Sequence, residues 1–271
     1  MDDPKAPRRL FLKTAAILWA LSLAGLALLF PYLATLERGA LAAAAARTHV
    51  GMTLLLAASF AQSAILLAIA VLAGLWASRR LGLETPLIAA RLSGSPAPRR
   101  AMRTLAMAFA IGIAVGIALI VLDREVFAPI PSVARLIRSA GSGNTHPAPW
   151  QGLLASFYGG LDEEILMRLG LMSVLALFLR SVSRLFGGGR DVALPGGVFW
   201  TANLVTAVLF GLGHLPATAA LAPLTAALVV RAIVLNGSAG IVFGMLFRRF
   251  GLEWAMASHF GADIVLHVLL A

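Results

Sequence analysis

Long apolar runs separated by short polar connectors dominate the sequence. A helix needs about 20 apolar residues to cross the hydrocarbon core of a bilayer. By this measure the pattern predicts eight membrane-inserted segments, at residues 10–33, 50–77, 102–122, 151–179, 198–215, 217–235, 237–247 and 253–271. The first segment follows a basic start but is too long for the apolar region of a signal peptide, so we expect it to be retained. The predicted fold is therefore all-α, a polytopic transmembrane helical bundle of about eight helices.

The connector at residues 123–149 is the least helical stretch of the chain, because it contains several prolines and glycines. Only a weak pattern around residues 133–137 indicates an interfacial helix within it. We take this connector as an organisational boundary. Residues 1–150 would then hold amino-terminal transmembrane helices and their loops, and residues 151–271 a second helical unit.

Composition and charge agree with a membrane location. Hydrophobic residues make up 60% of the chain and charged residues 13%, with a mean hydropathy of +0.90, whereas soluble domains have about 25% charged residues. The net charge of +10 comes from arginines in the connectors, a placement that indicates topology and contact with anionic lipid and not nucleic-acid binding. The absence of cysteine excludes disulfides, thiol nucleophiles and cysteine-ligated metals.

The distribution of arginines predicts which connectors face the cytoplasm. The amino terminus and the loops at residues 79–103 and 180–190 are rich in arginine, so all three are expected on the cytoplasmic side. Strict alternation through eight segments would place Arg248 and Arg249 on the opposite side. Either the seventh segment does not cross fully, or this pair is an exception to the positive-inside rule.

Ionisable residues within the apolar segments are concentrated in the second half of the chain. Each such group costs about 2.5 to 3.5 kcal/mol at the centre of a membrane helix, so a cluster of them indicates function. The middles of the first three segments contain almost none. The later segments contain Asp162, Glu163, Glu164, Arg168, His214, Arg231, His259, Asp263 and His267. This asymmetry predicts a site between the fourth, fifth and eighth helices.

Helical spacing suggests how the acidic residues of the fourth segment are used. Glu164 and Arg168 are four residues apart, so they share one helical face and can pair. Glu163 points about 100° away from Glu164 and is left for another partner or for chemistry. We expect Asp162 to reach the aqueous end of the helix.

The histidines of the last segments are the other candidates. His259 and Asp263 are four residues apart, so they can orient each other or bind one metal ion. His214 ends a glycine-rich helix and, taken alone, is equally consistent with packing. We interpret His267 as a packing or interfacial residue and expect Arg231 to pair or to extend towards the interface.

Three short motifs in this order resemble those of a known family. They are Glu163-Glu164-Ile-Leu-Met-Arg168, Phe210-Gly-Leu-Gly-His214 and His259-Phe-Gly-Ala-Asp263. From about residue 153 onward the chain resembles the CAAX protease and bacteriocin-processing family, intramembrane endopeptidases related to the type II CAAX prenyl endopeptidase. Arg168 lies between Met167 and Leu169 where the family often has phenylalanine and glycine. Asp263 stands where the prenyl-protease branch typically has asparagine.

The resemblance implies an enzyme that hydrolyses peptide bonds near or within the membrane, and it makes residues 151–271 the catalytic helical core. Glu163 would be the general base, His214 would hold the water, and His259 with Asp263 would face the oxyanion. Glu164, Arg168 and Phe210 would support them. Glu163, His214 and His259 would also suit a zinc ion. The cofactor is therefore none or zinc, and the enzyme is a glutamate-type or a metallo-endopeptidase.

The same resemblance implies the partners and the location. The expected partners are a peptide or protein substrate in or at the membrane and the lipid bilayer, with no nucleic acid. The expected location is a multi-pass protein of the bacterial inner membrane with a cytoplasmic amino terminus. The alternatives are a membrane immunity or scaffold protein without catalysis and a transporter. A transporter would more often show duplicated halves, and the sequence shows no such repeat.

Overall fold

The computed structural model describes residues 6–36, 38–49, 51–141, 147–187 and 193–269, and in these ranges it contains helices and no strand. The all-α prediction is confirmed. The α-helices are α1 (Ala6–Leu36), α2 (Arg38–Thr48), α3 (Met52–Leu81), α4 (Pro86–Ser93), α5 (Ala101–Leu122), α6 (Pro131–Gly141), α7 (Pro149–Tyr158), α8 (Ser173–Leu185), α9 (Gly196–Gly213), α10 (Leu215–Leu221), α11 (Ala226–Phe250) and α12 (Leu252–Ile264). Stretches of π-helix follow α5 (Asp123–Phe127), join α7 to α8 (Gly159–Glu163 and Ile165–Met172) and follow α12 (Val265–Leu269).

Within the described ranges, six helical stretches are long and apolar enough to cross a membrane. They are Pro7–Leu36, Met52–Leu81, Ala101–Phe127, Pro149–Leu185, Gly196–Leu221 and Ala226–Phe250. The chain is therefore a multi-pass integral membrane protein, but the predicted count of eight segments was wrong. The helix α12 has 13 residues, fewer than a full crossing needs. Most of its side chains are buried among the other helices.

Two predicted segments, at residues 217–235 and 237–247, lie largely in the single helix α11. Gly237 lies inside this helix and does not end it. Its side faces the backbone of Ala207 on α9, and the missing side chain allows the two helices to pack closely. Pro216 does not end the preceding span either. It occupies the first turn of α10. A proline is tolerated there because the backbone N–H that it lacks would have no partner within the helix.

The merging of these two segments removes the conflict over the terminal arginines. The single crossing of α11 brings its carboxyl end to the same side of the bundle as the start of α9. There, Arg248 lies 4.3 Å from the ring centre of Phe199. Other contacts bring further arginines to this end. Arg79 lies over the ring of Phe11 near the start of α1, and Arg180 on α8 donates to the carbonyl of Arg80 at 2.5 Å. The arginine-rich ends of α1, α3, α8 and α11 therefore lie together, and we call them the basic end.

A shared apolar core runs through the bundle. It includes Leu18 of α1, Leu67 of α3, Leu169, Phe243 of α11 and Leu252 of α12, each almost fully buried. Both parts of the predicted two-part organisation contribute to this core, while the division at residue 150 itself stays a prediction. Large apolar side chains also cover the outer surface of the spans, as expected for helices that face lipid.

Small residues hold α12 close to α5. Gly112 and Gly116 of α5 are one turn apart, and a side chain at either position would overlap the backbone of α12 at Ser258 or Ala262. Such small residues at four-residue spacing allow membrane helices to approach closely. This contact fixes α12, and with it His259 and Asp263, at a defined depth in the bundle.

Candidate active site

The first acidic motif lies where the helix that begins at Pro149 widens into π-helical turns. A π-helical turn contains an extra residue, and such turns are frequent at functional sites. Here Gly159 and Gly160 also remove side chains that would collide with α12. A Cβ at Gly159 would overlap the carboxyl group of Asp263, and one at Gly160 would press on Phe260. The local sequence therefore lets the two motif-bearing helices touch.

Glu164 is completely buried and is held by two positively polarised groups. Its Oε1 lies 3.1 Å from Nη1 of Arg168 and 2.8 Å from Nδ1 of His259. The pair with Arg168 forms as the spacing predicted. Because a carboxylate only accepts hydrogen bonds, Nδ1 of His259 carries a hydrogen in this contact. Nε2 lies at the opposite edge of the ring and does not contact Glu164.

Glu163 differs from its neighbour because its side chain is 22% exposed and lines a cavity. Nε2 of His259 lies 3.6 Å from Oε2 of Glu163 and 3.7 Å from Oδ1 of Asp263. Both distances are within ion-pair range but longer than a hydrogen bond. Three carboxylates, those of Glu163, Glu164 and Asp263, thus surround one imidazole.

Aromatic rings fix the orientation of this imidazole. The ring of Phe243 stacks on that of His259 with centroids 4.6 Å apart and an angle of 21°. Phe210 meets the same imidazole edge-on, and the guanidinium of Arg168 lies 4.9 Å from the Phe210 ring centre. Phe210 therefore contacts both the imidazole of His259 and the guanidinium of Arg168.

His214 lies at the carboxyl end of α9. Its Nδ1 is 2.8 Å from the carbonyl oxygen of Phe210. Since that oxygen can only accept, Nδ1 donates, and the neutral ring presents the lone pair of Nε2 elsewhere. His214 lines the same cavity as Glu163, so its free nitrogen is available to a polar molecule there.

The cavity has a volume of about 530 Å³ and brings together the four predicted catalytic side chains, Glu163, His214, His259 and Asp263. The predicted location between the fourth, fifth and eighth helices was incomplete. Helix α1 contributes apolar side chains and Tyr32, and α11 contributes Asn236 and Phe243. A second cavity of about 460 Å³ shares Leu36, His214, Ala217 and Asn236 with the first and extends towards α6.

Sequence reasoning missed the polar residues of the cavity that do not ionise near neutral pH. Tyr32, Tyr158 and Asn236 line it. A usable signal existed, because Tyr32 and Tyr158 are the only two tyrosines in the sequence and both lie on apolar helices. His267, interpreted above as a packing residue, lines the cavity as well.

Two further polar residues lie in surroundings that the sequence did not specify. Asp162 was expected at an aqueous end, but it is fully buried and packs against Gly25 of α1, where no larger residue would fit. Arg231 pairs with Asp123 through two bonds of 2.6 and 2.7 Å. Asp123 lies in the π-helical turn after α5, so this pair joins two spans.

The side chains proposed from the sequence as zinc ligands do not fit a metal in this arrangement. Among the described residues, no three His, Cys, Asp or Glu side chains are grouped so that they could hold a metal ion.

The order and geometry of these motifs agree with the comparison to known families. Residues 145–265 match the model of the family described as type II CAAX prenyl endopeptidase Rce1-like. This part of the chain is similar to that family. Comparisons with curated proteins and with solved structures give no match.

The Rce1-like region contains all three motifs and thus all of the predicted catalytic and supporting residues. The matched family is described as one of endopeptidases. Two polar residues of the cavity, Tyr32 and His267, lie outside the matched Rce1-like region. They are consequently features of this chain that the family match does not cover.

Proposed function

We propose that this protein is an intramembrane endopeptidase in which Glu163 activates the attacking water. The observation that carries this proposal is the difference between the two adjacent glutamates. Glu164 is buried and bonded to Arg168 and His259, whereas Glu163 lines the cavity and lies 3.6 Å from Nε2 of His259, farther than a hydrogen bond. A general base must reach a water and the substrate, and only Glu163 of the two is placed to do so.

The reaction needs no covalent intermediate. A water held between Glu163 and Nε2 of His214 would transfer a proton to Glu163 while its oxygen attacks the peptide carbonyl carbon. As an imidazolium with hydrogen on both nitrogens, His259 would donate its Nε2–H to the oxyanion that forms. Glu163 would then return the proton to the leaving amine as the carbon–nitrogen bond breaks. Asp263, which lies 3.7 Å from Nε2, would help to orient His259.

The proposed substrate is a peptide or protein in or at the membrane. Except for the catalytic cluster and a few polar residues, the cavity is lined by apolar side chains of α1, α5 and α9. Such walls exclude water and suit an apolar peptide segment. The family description names prenylated CAAX peptides, so a farnesylated CAAX peptide is the first probe to use, with its unmodified counterpart beside it.

The test compares Glu163→Gln with Glu164→Gln in proteoliposomes that contain either peptide. We expect Glu163→Gln to fold normally and to lose at least about 100-fold in kcat, because the amide cannot accept a proton. Glu164→Gln should instead lower the thermal unfolding midpoint, because it leaves Arg168 buried without its full charge partner.

Two results would contradict the proposal. One is wild-type activity that survives in Glu163→Gln. The other is a folded wild-type protein that cleaves neither peptide, which would favour the scaffold or immunity alternative.

A further inference from the structure

Helix α1 contributes a polar group to the cavity from outside the region matched by the family. The hydroxyl oxygen of Tyr32 lies 3.4 Å from Nδ1 of His267. Their rings meet edge to face with centroids 5.6 Å apart. Of the two tyrosines in the sequence, Tyr32 therefore contacts a histidine of the cavity directly.

His267 connects this tyrosine to the catalytic cluster. Its Nε2 lies 3.9 Å from Oδ1 of Asp263, and the same oxygen lies 3.7 Å from Nε2 of His259. Asp263 thus has one imidazole on each side. One belongs to the cluster with Glu163 and Glu164, and the other reaches Tyr32.

Asp263 needs such a neighbour because of the charges around it. It shares His259 with Glu163 and Glu164, and like charges at this distance repel one another. Arg168, the guanidinium of the cluster, pairs with Glu164. The polar group on the other side of Asp263 is His267, so a hydrogen on Nε2 of His267 would stabilise the carboxylate and fix its direction.

We propose that Tyr32 and His267 form a positioning arm for Asp263. In this arm the Tyr32 hydroxyl donates to Nδ1 of His267, which places the ring hydrogen on Nε2, towards Asp263. Tyr32 acts through His267 and Asp263 on His259, so it is a positioning residue and touches no reacting atom. The arm makes α1 part of the site.

The packing of α1 supports this role. Gln151 of α7 donates to the carbonyl of Pro31 at 2.8 Å and to the hydroxyl of Thr35 at 2.9 Å. These bonds lie on either side of Tyr32 in sequence and fix its helix against α7. About two turns before Tyr32, Gly25 packs on Asp162. The position of the Tyr32 hydroxyl is therefore set by contacts that do not involve the arm.

The first experiment detects the arm without any cleavage assay. Solid-state ¹⁵N NMR of histidine-labelled protein in lipid bilayers would resolve the five histidines, with His267→Gln used for assignment. We expect His267 to be the tautomer with hydrogen on Nε2 and its Nδ1 signal to move in Tyr32→Phe. The matched control is Tyr158→Phe, which removes the other hydroxyl of the cavity and should leave that signal in place.

A His267 signal that is unchanged in Tyr32→Phe, or a wild-type Nδ1 that carries the hydrogen, would overturn the arm. This result does not depend on activity. Failure of the arm and failure of the proposed endopeptidase function, on which the next experiment rests, are therefore distinguishable.

The second experiment asks whether the arm acts through Asp263. We expect Tyr32→Phe to lower kcat roughly 10-fold with little change in KM, as for a misplaced catalytic group. In an Asp263→Asn background the same change should lower kcat less than about 2-fold, because the neutral amide needs no donor to offset its charge. Equal losses in both backgrounds would show a merely structural role for Tyr32 and overturn the proposal.

Discussion

At the scale of single residues, the site depends on how three carboxylates share one imidazole. Glu164 is neutralised by Arg168, Glu163 faces the cavity, and Asp263 lies between His259 and His267. The same residue type therefore has three roles, which are set by burial and by neighbours. We therefore expect substitutions of the three carboxylates to have different effects.

Replacing the third carboxylate should be tolerated better than replacing the first. We expect Asp263→Asn to retain measurable cleavage, within roughly 100-fold of wild type, because asparagine has the same shape and its amide can donate to an oxyanion. Asp263→Leu, which has neither property, serves as the comparison. Complete loss of activity in a folded Asp263→Asn protein would show that the carboxylate itself is a ligand or a base.

The chemistry proposed for Glu163 also makes a statement about metals. We expect the purified wild-type protein, like His214→Ala and His259→Ala, to contain no stoichiometric zinc, and the wild type to keep its cleavage rate after treatment with a chelator. About one zinc per chain that disappears in both variants, with activity restored by added zinc, would instead establish a metal-assisted hydrolysis.

At the scale of helices, close contacts place the motifs relative to one another. The π-helical turns at Gly159–Glu163 carry Glu163, and α12 carries His259. Neither helix could approach the other if larger residues replaced the glycines between them. Glycines also allow the close contact of α5 with α12. Larger side chains at these glycines should therefore disturb this contact as well.

We therefore expect Gly112→Leu to lower both the thermal unfolding midpoint and the activity, because the new side chain would overlap the backbone at Ser258. The measurement is thermal unfolding in detergent together with cleavage. Gly197→Ala, at a helix position with open space around the new methyl group, is the matched control and should change neither. An unaltered Gly112→Leu protein would contradict the proposed packing.

At the scale of the whole molecule, the basic end determines the expected orientation. The arginines near the start of α1 and near the ends of α3, α8 and α11 lie at this end. Arginine-rich ends of membrane proteins face the cytoplasm. We therefore propose that the basic end is cytoplasmic, which also places the start of α1 there.

The absence of cysteine makes this orientation easy to test, since an introduced cysteine is the only thiol. Ser95→Cys lies in the loop between α4 and α5 at the basic end, and Gly51→Cys lies before α3 at the opposite end. We expect a membrane-impermeant maleimide to label Gly51→Cys in intact cells and Ser95→Cys only after the membranes are opened. The reverse pattern would show the opposite orientation.

The sequence by itself determined the features that depend on local patterns. Apolar length determined a multi-pass helical bundle, and four-residue spacing determined the pair of Glu164 with Arg168. The concentration of ionisable residues in apolar helices located the motifs. These inferences succeeded because a buried charge in lipid is so unfavourable that its presence alone is informative.

Tertiary structure decided the rest, because it depends on contacts between distant parts of the chain. Glycine disfavours helices, and the sequence pattern separated two segments next to Gly237. In the structure Gly237 packs against α9 within one long helix. Asp162 is buried only because Gly25 leaves room for it. Tyr32 reaches the site because α1 packs beside α7, and no spacing between residues 32 and 267 could have shown this contact.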